Sequence, residues 1–195
     1  MEAQHITYTI IAHMRTDLAA KFGIPRQSGM APALRGRIVF EPPYRNVEAL
    51  RGLEEFTHLW AIWDFSEAHV TQWHPTVRPP RLGGNRRMGV WATRSPFRPN
   101  SIALSSLRIH AIHPHTPEGP VIEVESPDLM DGTPILDLKP YLPYTDCHPD
   151  ATGGFTQTQP SDEQRLCVEI PAEMACRMPR EKQEALRQVL ACDPR

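Results

Sequence analysis

The sequence predicts a mainly β protein: a small antiparallel β-barrel with short helices, followed by the start of a small α+β C-terminal unit. Three observations indicate this fold. Runs in which apolar and polar residues alternate dominate the first two thirds of the 195-residue chain. The 21 prolines, about twice the average share, disfavour long helices and favour short strands joined by shaped loops. A stretch rich in Gly, Ser, Thr, Asp and Pro, residues 146–165, separates a final strand and helix from the rest.

Six short β-strands and one helix are predicted in the barrel region. The first strand alternates from Ile6 to Ala12. The other five are the runs GRIVF, HLWAIWDF, MGVWAT, SIALSSLRIHAI and VIEVE, at 36–40, 58–65, 88–93, 101–112 and 121–125. The helix is predicted over 46–56, with its apolar residues on one stripe and Asn46 as N-cap. These strands leave little room for crossover helices, so we expect a mostly antiparallel sheet that is closed or nearly closed.

Three segments make up the predicted domain organisation: the barrel at 1–146, a linker at 147–164 and the C-terminal α+β unit at 165–195. In the last segment LCVEI predicts a strand and PREKQEALRQVL predicts a helix. One strand and one helix bury too little apolar surface to be stable alone. We therefore expect this unit to pack on the barrel, to pack on another chain, or to be the beginning of a larger unit.

The charge is uneven, although the formal net charge is only -2. Residues 70–117 contain no Asp or Glu but carry seven arginines, at 78, 81, 86, 87, 94, 98 and 108. No run is apolar enough for a membrane span, and we expect a cytoplasmic protein. The four cysteines lack CxxC spacing, which argues against a zinc knuckle or a disulfide framework. Three histidines at 110, 113 and 115 have no cysteine nearby, so no metal site is predicted.

Four stretches carry residue types that folding alone does not explain: GIPRQSG at 23–29, DFSEAH at 64–69, RSPFRPN at 94–100 and DLMDGTPILDLKPYLPY at 128–144. In RSPFRPN, prolines stiffen the backbone around Arg94 and Arg98, as a site for an anion or a flat aromatic ligand requires. For Arg98 an ion pair with acidic residues of 118–131 is the alternative. None of the glycine spacings fits a P-loop or a Rossmann fingerprint, which excludes the usual phosphate and dinucleotide sites.

Long motifs in these stretches resemble a known family. FGIPRQ, WHPTVRPPRLGGNRRMGVWATRSPFRPN and DLMDGTPILDLKPYLPYTD are similar to motifs of the TsaA-like family, and within it of the TrmO-type tRNA (adenine-N6)-methyltransferases. The resemblance runs from Ile6 to about Asp146. It implies a homodimeric enzyme that uses S-adenosylmethionine on a β-barrel. The implied substrate is N6 of threonylcarbamoyladenosine at position 37, just 3′ of the anticodon, in threonine tRNA, with neither DNA nor a membrane as partner.

The resemblance also implies which residues contact the cofactor. They lie in the PRQ turn, after the third strand, in RSPFRPN, on the following strand and in the DLMDGT loop: Pro25, Arg26, Gln27, Ser66, Glu67, Arg94, Leu104, Asp128, Leu129, Met130, Asp131, Gly132 and Thr133. The chain departs from the family pattern at Ser66, Ser101 and Ala103, so we expect backbone contacts at Ser66 and Glu67. A guanidinium suits the cofactor carboxylate, and the acidic DLMDGT loop suits its hydroxyls and amines.

The catalytic and tRNA-binding predictions leave alternatives open. Asp131, Asp137 or Tyr141 is expected to accept the proton that leaves the nitrogen, and Lys139 either orients the substrate or pairs with Asp137. Four arginines that flank RLGGN are expected to contact tRNA phosphates, unless they pair with acidic residues of 118–195: Arg78, Arg81, Arg86 and Arg87. Trp73 is either a core residue or a base-stacking residue. The alternative function is a non-catalytic RNA-binding barrel that senses S-adenosylmethionine; a small-molecule methyltransferase would leave the basic stretch unexplained.

Overall fold

Six antiparallel strands close into a barrel in the computed structural model, which describes residues 4–21, 23–157 and 165–192. The barrel strands are β1 (Ala12–Thr16), β2 (Arg35–Phe40), β3 (His58–Asp64), β6 (Ile102–Thr116), β7 (Gly119–Glu125) and β8 (Pro134–Pro140). Their order around the barrel is β1-β2-β7-β6-β3-β8, and β8 returns to pair with β1. The short strands β4 (Thr76–Val77) and β5 (Met88–Gly89) form a separate two-stranded sheet. The predicted mainly β, closed antiparallel fold is confirmed.

Alternating side chains fill the interior of the barrel. In β3 the buried residues are Leu59, Ala61 and Trp63, and the residues between them are partly exposed. The interior has one polar contact of note, because the indole N–H of Trp63 donates to Ser105 Oγ at 3.0 Å. That bond satisfies a donor that would otherwise be buried unpaired.

The helical elements are short. The 3₁₀ turns are Pro42–Tyr44, Val47–Leu50, Leu53–Glu55, Pro80–Leu82, Val90–Ala92 and Gly154–Thr156; the α-helices are α1 (Pro143–Asp146), α2 (Ala172–Ala175) and α3 (Arg180–Ala191). The helix predicted over 46–56 is two 3₁₀ turns, because Gly52 adopts a φ of 84° between them. Asn46 caps the first turn by accepting the Glu48 N–H, as predicted.

Three strand predictions were wrong, and one strand was not predicted. The first strand begins only at Ala12, and the 88–93 run contains a two-residue strand followed by a 3₁₀ turn. LCVEI forms no strand among the described residues. The sequence reading also missed β8, because prolines bound it and Asp137 and Lys139 interrupt its apolar pattern.

The C-terminal unit packs on the barrel, through the loop 17–34 between β1 and β2. Val189 of α3 is buried against Ala31 and Leu34, and Gln188 Oε1 accepts the Ala33 N–H at 2.8 Å. Lys182 pairs with Asp17 at 2.9 Å. The predicted boundaries at 146 and 165 stay predictions, and residues 158–164 of the linker and 193–195 lie outside the described residues. No described helix is long and apolar enough to cross a membrane.

Three connections meet at one rim of the barrel. Thr16 pairs with Gly36, and Asp64 pairs with Ile102, so the loop 17–34 and the insertion 65–101 begin and end at this rim. Arg35 pairs with Glu125, which places the start of the loop 126–133 there as well. The four stretches singled out from the sequence, at 23–29, 64–69, 94–100 and 128–144, therefore lie at this rim. The last of them continues from the rim along β8.

The two leucines of β6 provide a matched test of the barrel interior. Leu107 is 0% exposed and Leu104 is 50% exposed. We expect Leu107→Ala to lower the free energy of unfolding by about 2–5 kcal/mol, because it opens a cavity in a closed core. Leu104→Ala is expected to cost less than about 1 kcal/mol. Urea unfolding without ligand measures both values, and equal losses would contradict the assignment of Leu107 to the interior.

Candidate active site

An open cleft of ≈ 2540 Å³ occupies this rim. Its walls come from the loop 17–34, the end of β3, the insertion 65–101, the start of β6, the loop 126–133 and residues of the C-terminal part of the chain at 153–157, 165 and 191–192. Ten of the thirteen predicted cofactor residues line it: Pro25, Arg26, Gln27, Ser66, Glu67, Arg94, Leu104, Asp128, Met130 and Thr133. The structure therefore brings together residues that are more than 100 positions apart in the sequence.

Arg94 connects two walls of the cleft. Its Nη1 donates to Gln27 Oε1 at 2.5 Å, so the PRQ turn and the RSPFRPN loop are in direct contact. The backbone that carries Arg94 is held by a turn, because the Thr93 N–H donates to Val90 O at 3.1 Å. Among the described residues the remaining guanidinium donors of Arg94 form no other hydrogen bond, so they are available for an anion, and a guanidinium can pair two carboxylate oxygens at once.

Asp128 supplies a buried acceptor on the facing wall. Its Oδ1 is a buried side-chain oxygen that has no hydrogen-bond partner among the described residues. Burial raises the pKa of Asp128, while a hydrogen bond from Ser105, the backbone of Asp128 and Ser28, and the Arg94 charge act in the opposite direction. An unpartnered buried carboxylate oxygen requires a donor to offset its lost hydration.

The residues of the cleft fit S-adenosylmethionine chemically. The cofactor carries a carboxylate, hydroxyls and amines, and the cleft offers the Arg94 cation and the unpartnered Asp128 oxygen. Phe97 and Trp91 add exposed aromatic surface to the same cleft. This donor and acceptor set matches the polar groups of the cofactor without a phosphate-binding loop.

The other three predicted cofactor residues fix the loop 126–133 and do not line the cleft. Leu129 is fully buried in the barrel core. Asp131 Oδ1 accepts the Thr16 N–H at 3.1 Å, and Arg15 lies 3.8 Å from its other oxygen. Gly132 has a φ of 78° and donates its N–H to Met14 O at 2.8 Å, a conformation that favours glycine.

Ser126 ties this loop to the loop that carries the PRQ turn. Its backbone O accepts the Gly29 N–H at 3.0 Å, its Oγ accepts the Ala31 N–H at 2.8 Å, and its own N–H donates to Leu34 O at 2.8 Å. Among the described residues it is the one non-glycine with a positive φ, 50°. The sequence reading missed Ser126 and Ser105, because a serine in or beside a strand has no distinguishing pattern.

The three candidate proton acceptors are not brought together. Asp131 lies in the rim loop, Asp137 lies in the middle of β8, and Tyr141 follows β8 near the opposite rim, where its N–H donates to His58 O. Asp137 pairs with Lys139 at 2.8 Å. Tyr141 packs on Trp60 with ring centroids 5.5 Å apart, and partial burial, with Cys147 and Asp146, raises its pKa.

Asp137 is the candidate in register with the cleft. Ile62 pairs with Leu104 on one side and with Asp137 on the other, so these three side chains point to the same face of the barrel wall. Ile62 and Leu104 line both the cleft and a neighbouring pocket of ≈ 300 Å³ that includes Trp60 and Lys139.

The arginines predicted to bind tRNA lie on the insertion 65–101. Arg78, Arg81, Arg86 and Arg87 are exposed, and in the described part of the chain none forms an ion pair with an acidic residue. Arg87 donates to Thr76 Oγ1 at 3.0 Å. Arg98 donates instead to the carbonyls of Thr93 and Ser95. Among the described residues, the structure therefore shows neither of the ion-pair alternatives considered for these arginines.

Comparisons with known proteins identify the family of the chain. Residues 13–147 match the family described as the tRNA-methyltransferase O N-terminal domain. The chain is 41% identical over 189 residues to the tRNA (adenine(37)-N6)-methyltransferase of Escherichia coli, covering 95% of the chain and 80% of that protein. It is 42% identical over 181 residues to a Pseudomonas aeruginosa protein named as an S-adenosylmethionine-dependent methyltransferase, RcsF, covering 93% and 74%.

A solved structure shows the same architecture. The crystal structure of TrmO from P. aeruginosa superposes with a TM-score of 0.77 at 34% identity, covering 100% of this chain and 83% of that one. The closed barrel and its rim cleft thus define a β-barrel methyltransferase, built without a Rossmann fold. Within that class, the chain belongs to the tRNA-methyltransferase O family.

Replacing Asp128 tests the burial of its carboxylate. The folded-state pKa lies above the ordinary 3.8, so the parent protein loses stability as pH rises through that folded value. We expect Asp128→Asn, which carries no charge, to unfold at higher urea than the parent at pH 7. The difference is expected to shrink toward zero as pH falls to about 4.

The control is Asp150→Asn, which changes an exposed carboxylate. It is expected to shift stability by less than about 0.5 kcal/mol, because it changes a surface side chain. A difference between Asp128→Asn and the parent that stays constant from about pH 4 to pH 7 would contradict a raised pKa at Asp128.

Proposed function

We propose that the protein methylates N6 of threonylcarbamoyladenosine at position 37 of threonine tRNA, and that it works as a cytoplasmic homodimer. Family membership makes it an S-adenosylmethionine-dependent tRNA (adenine-N6)-methyltransferase. The modified base and the tRNA species rest on the motif resemblance. The observation that carries the proposal is the convergence of Arg94, Gln27 and Asp128 at one cleft.

The chain's own residues provide the cofactor site in this proposal. Arg94 binds a carboxylate, and Asp128 accepts from a hydroxyl or an amine. Pro25, Arg26, Ser66 and Glu67 extend the same walls, and Leu104 adds apolar surface. The bound cofactor supplies an electrophilic methyl group on a sulfonium. Because that chemistry belongs to the cofactor, the protein's task is to position the base and to exclude water.

Asp137 is the proton acceptor we favour among Asp131, Asp137 and Tyr141. It shares a face with Leu104 and Ile62, whereas Asp131 is occupied by the Thr16 N–H. Tyr141 has a raised pKa, so its hydroxyl stays protonated at neutral pH and serves as a hydrogen-bond donor rather than as a base. Lys139 pairs with Asp137 and orients its carboxylate.

Two further observations support the dimer and the compartment. Ile102 and Leu104 are exposed on β6 beside the cleft, where a second subunit would remove their apolar surface from water. All four cysteines are free, and three are exposed, as suits a reducing compartment.

Nucleoside mass spectrometry tests the reaction. Threonine tRNA incubated with the protein and labelled S-adenosylmethionine is expected to gain one methyl on threonylcarbamoyladenosine. Asp137→Asn is expected to lower kcat/KM by about 100-fold or more while the cofactor-induced rise in Tm is unchanged. Asp131→Asn is the comparison variant, expected to keep kcat/KM and Tm near those of the parent, because its amide oxygen still accepts the Thr16 N–H.

The results of these experiments distinguish the proposed reaction from its alternative and Asp137 from Asp131 as proton acceptor. Cofactor binding with no change in tRNA mass would replace the proposal by the S-adenosylmethionine-sensing RNA-binding barrel. Full activity of Asp137→Asn would remove Asp137 from the mechanism, and a specific loss of turnover in Asp131→Asn at unchanged Tm would transfer the role to Asp131.

The exposed arginines of the insertion give a salt-dependence test. We expect log K for tRNA to fall with log[salt] at a slope on the order of -3 for the parent. The Arg86→Ala, Arg87→Ala double variant is expected to flatten that slope by roughly one unit or more. Its affinity for S-adenosylmethionine is expected to stay within about twofold, because Arg86 does not line the cleft and Arg87, which does, is bonded to Thr76 Oγ1 of β4 and not to the Arg94–Gln27 pair. An unchanged slope would exclude these two residues from phosphate contact.

A further inference from the structure

An aromatic patch lies on the insertion 65–101, and we define it as Trp73, Trp91, Phe97 and Arg98. Its aromatic side chains are 42%, 68% and 53% exposed, respectively. Trp73 is therefore not a core residue, which was the alternative considered from the sequence. All four residues line the cofactor cleft. Large aromatic side chains left together in water at a site mark a surface that a partner covers.

Buried contacts hold the patch in place. Val90, directly before Trp91, is fully buried, and its N–H donates to Pro75 O at 3.0 Å. Trp91 lies in a single 3₁₀ turn, Val90–Ala92, that the Thr93 N–H closes on Val90 O. The two tryptophan rings have centroids 6.0 Å apart and planes tilted by 37°, so they do not cover each other's faces in a parallel stack. A surface that is ordered before binding loses little entropy when a ligand stacks on it.

Arg98 adds a cation to the patch. Its Nη1 donates to Thr93 O at 3.2 Å, and its Cζ lies 5.5 Å from the centroid of a Trp91 ring. Arg81 and Arg87 line the same cleft, and no acidic residue occurs between 70 and 117. Aromatic faces interleaved with guanidinium groups are the surface that unpaired nucleic-acid bases and their phosphates fit. A lipid surface offers no flat π-face on which these separated rings can stack, whereas an unpaired base does.

We infer that the aromatic patch is a stacking platform for an unpaired base of the RNA substrate, with Trp91 as its principal surface. The inference rests on the proposed tRNA substrate, which presents single-stranded bases in its anticodon loop. The exposed arginines then hold the phosphates and set the salt dependence, while Trp91 supplies an energy that salt does not screen. A base stacked on Trp91 lies in the same cleft as Arg94 and Asp128.

The test uses an RNA hairpin with the loop sequence of a threonine tRNA anticodon arm, and a fully paired duplex of its stem. We expect Trp91→Ala to weaken hairpin binding by about fivefold or more, with the salt slope unchanged. Trp91→Phe keeps an aromatic face and is expected to bind within about twofold of the parent. It is also expected to lose part of the tryptophan fluorescence quenching that the hairpin causes, which a merely structural role would not change.

Tyr44→Ala is the matched control, because Tyr44 is an exposed aromatic residue that does not line the cleft. It is expected to bind the hairpin as the parent does. Duplex binding is expected to be equal in all variants, since paired bases offer no free face. Hairpin binding by Trp91→Ala at parent affinity would overturn the inference.

Light scattering on the same variants tests whether the aromatic patch binds RNA or a second copy of the chain. A Trp91→Ala protein that dissociates to monomers while its affinity per chain for the hairpin is unchanged would assign the patch to a subunit interface and overturn the inference.

Methylation of threonine tRNA by the parent distinguishes the proposed function from the stacking platform. Hairpin binding that depends on Trp91 without methylation would remove only the proposed function; methylation together with parent-like binding by Trp91→Ala would remove only the stacking platform.

Discussion

The packing of Leu129 into the mouth of the barrel is the interaction on which the site depends. The loop 126–133 leaves β7 and must reach β8, and β6 and β3 lie between those strands in the sheet. It therefore crosses the barrel end, where Pro127 and Leu129 are fully buried. Asp128 lies between these two residues, so their burial fixes its carboxylate at the cleft. The strands β1 and β8 pair over a short length, and the bond from Gly132 N–H to Met14 O extends this pairing to the end of the loop 126–133.

This end of the barrel has two parts: the loops 17–34 and 126–133, which are packed on the barrel, and the insertion 65–101. The loops 17–34 and 126–133 are joined through Ser126, and α3 braces the first of them through Val189 and Gln188. The insertion 65–101 has its own small sheet, β4–β5, and carries the arginines and aromatic residues. Arg94 bridges the two parts by its bond to Gln27. In the proposed cofactor site Gln27 and Asp128 lie on the two joined loops, whereas Arg94 lies on the insertion, which also carries the surface suited to RNA.

Sequence patterns predicted the barrel where one face of a strand is buried and the other is not. In β3 the alternation is complete, and the second half of β7 and the first half of β6 follow it. The pattern failed where pairing is set by distant residues. Alternation from Ile6 to Ile10 leads to no strand, since those side chains are exposed and Ala12 is the first residue of β1. The strand β8 exists because β1 and β3 flank it, although Asp137 and Lys139 make its own sequence read as a loop.

The site was predictable in composition but not in geometry. Prolines beside Arg94 indicated a stiff cationic loop, and the structure gives that loop a partner in Gln27, 67 positions earlier. No local signal marks Ser105, whose hydroxyl accepts from Trp63 and lies against Asp128. Its role follows only from β6 passing beneath the loop 126–133. The period of a sequence pattern predicts on which face of a strand a side chain lies. It does not predict which residues of other strands that side chain contacts.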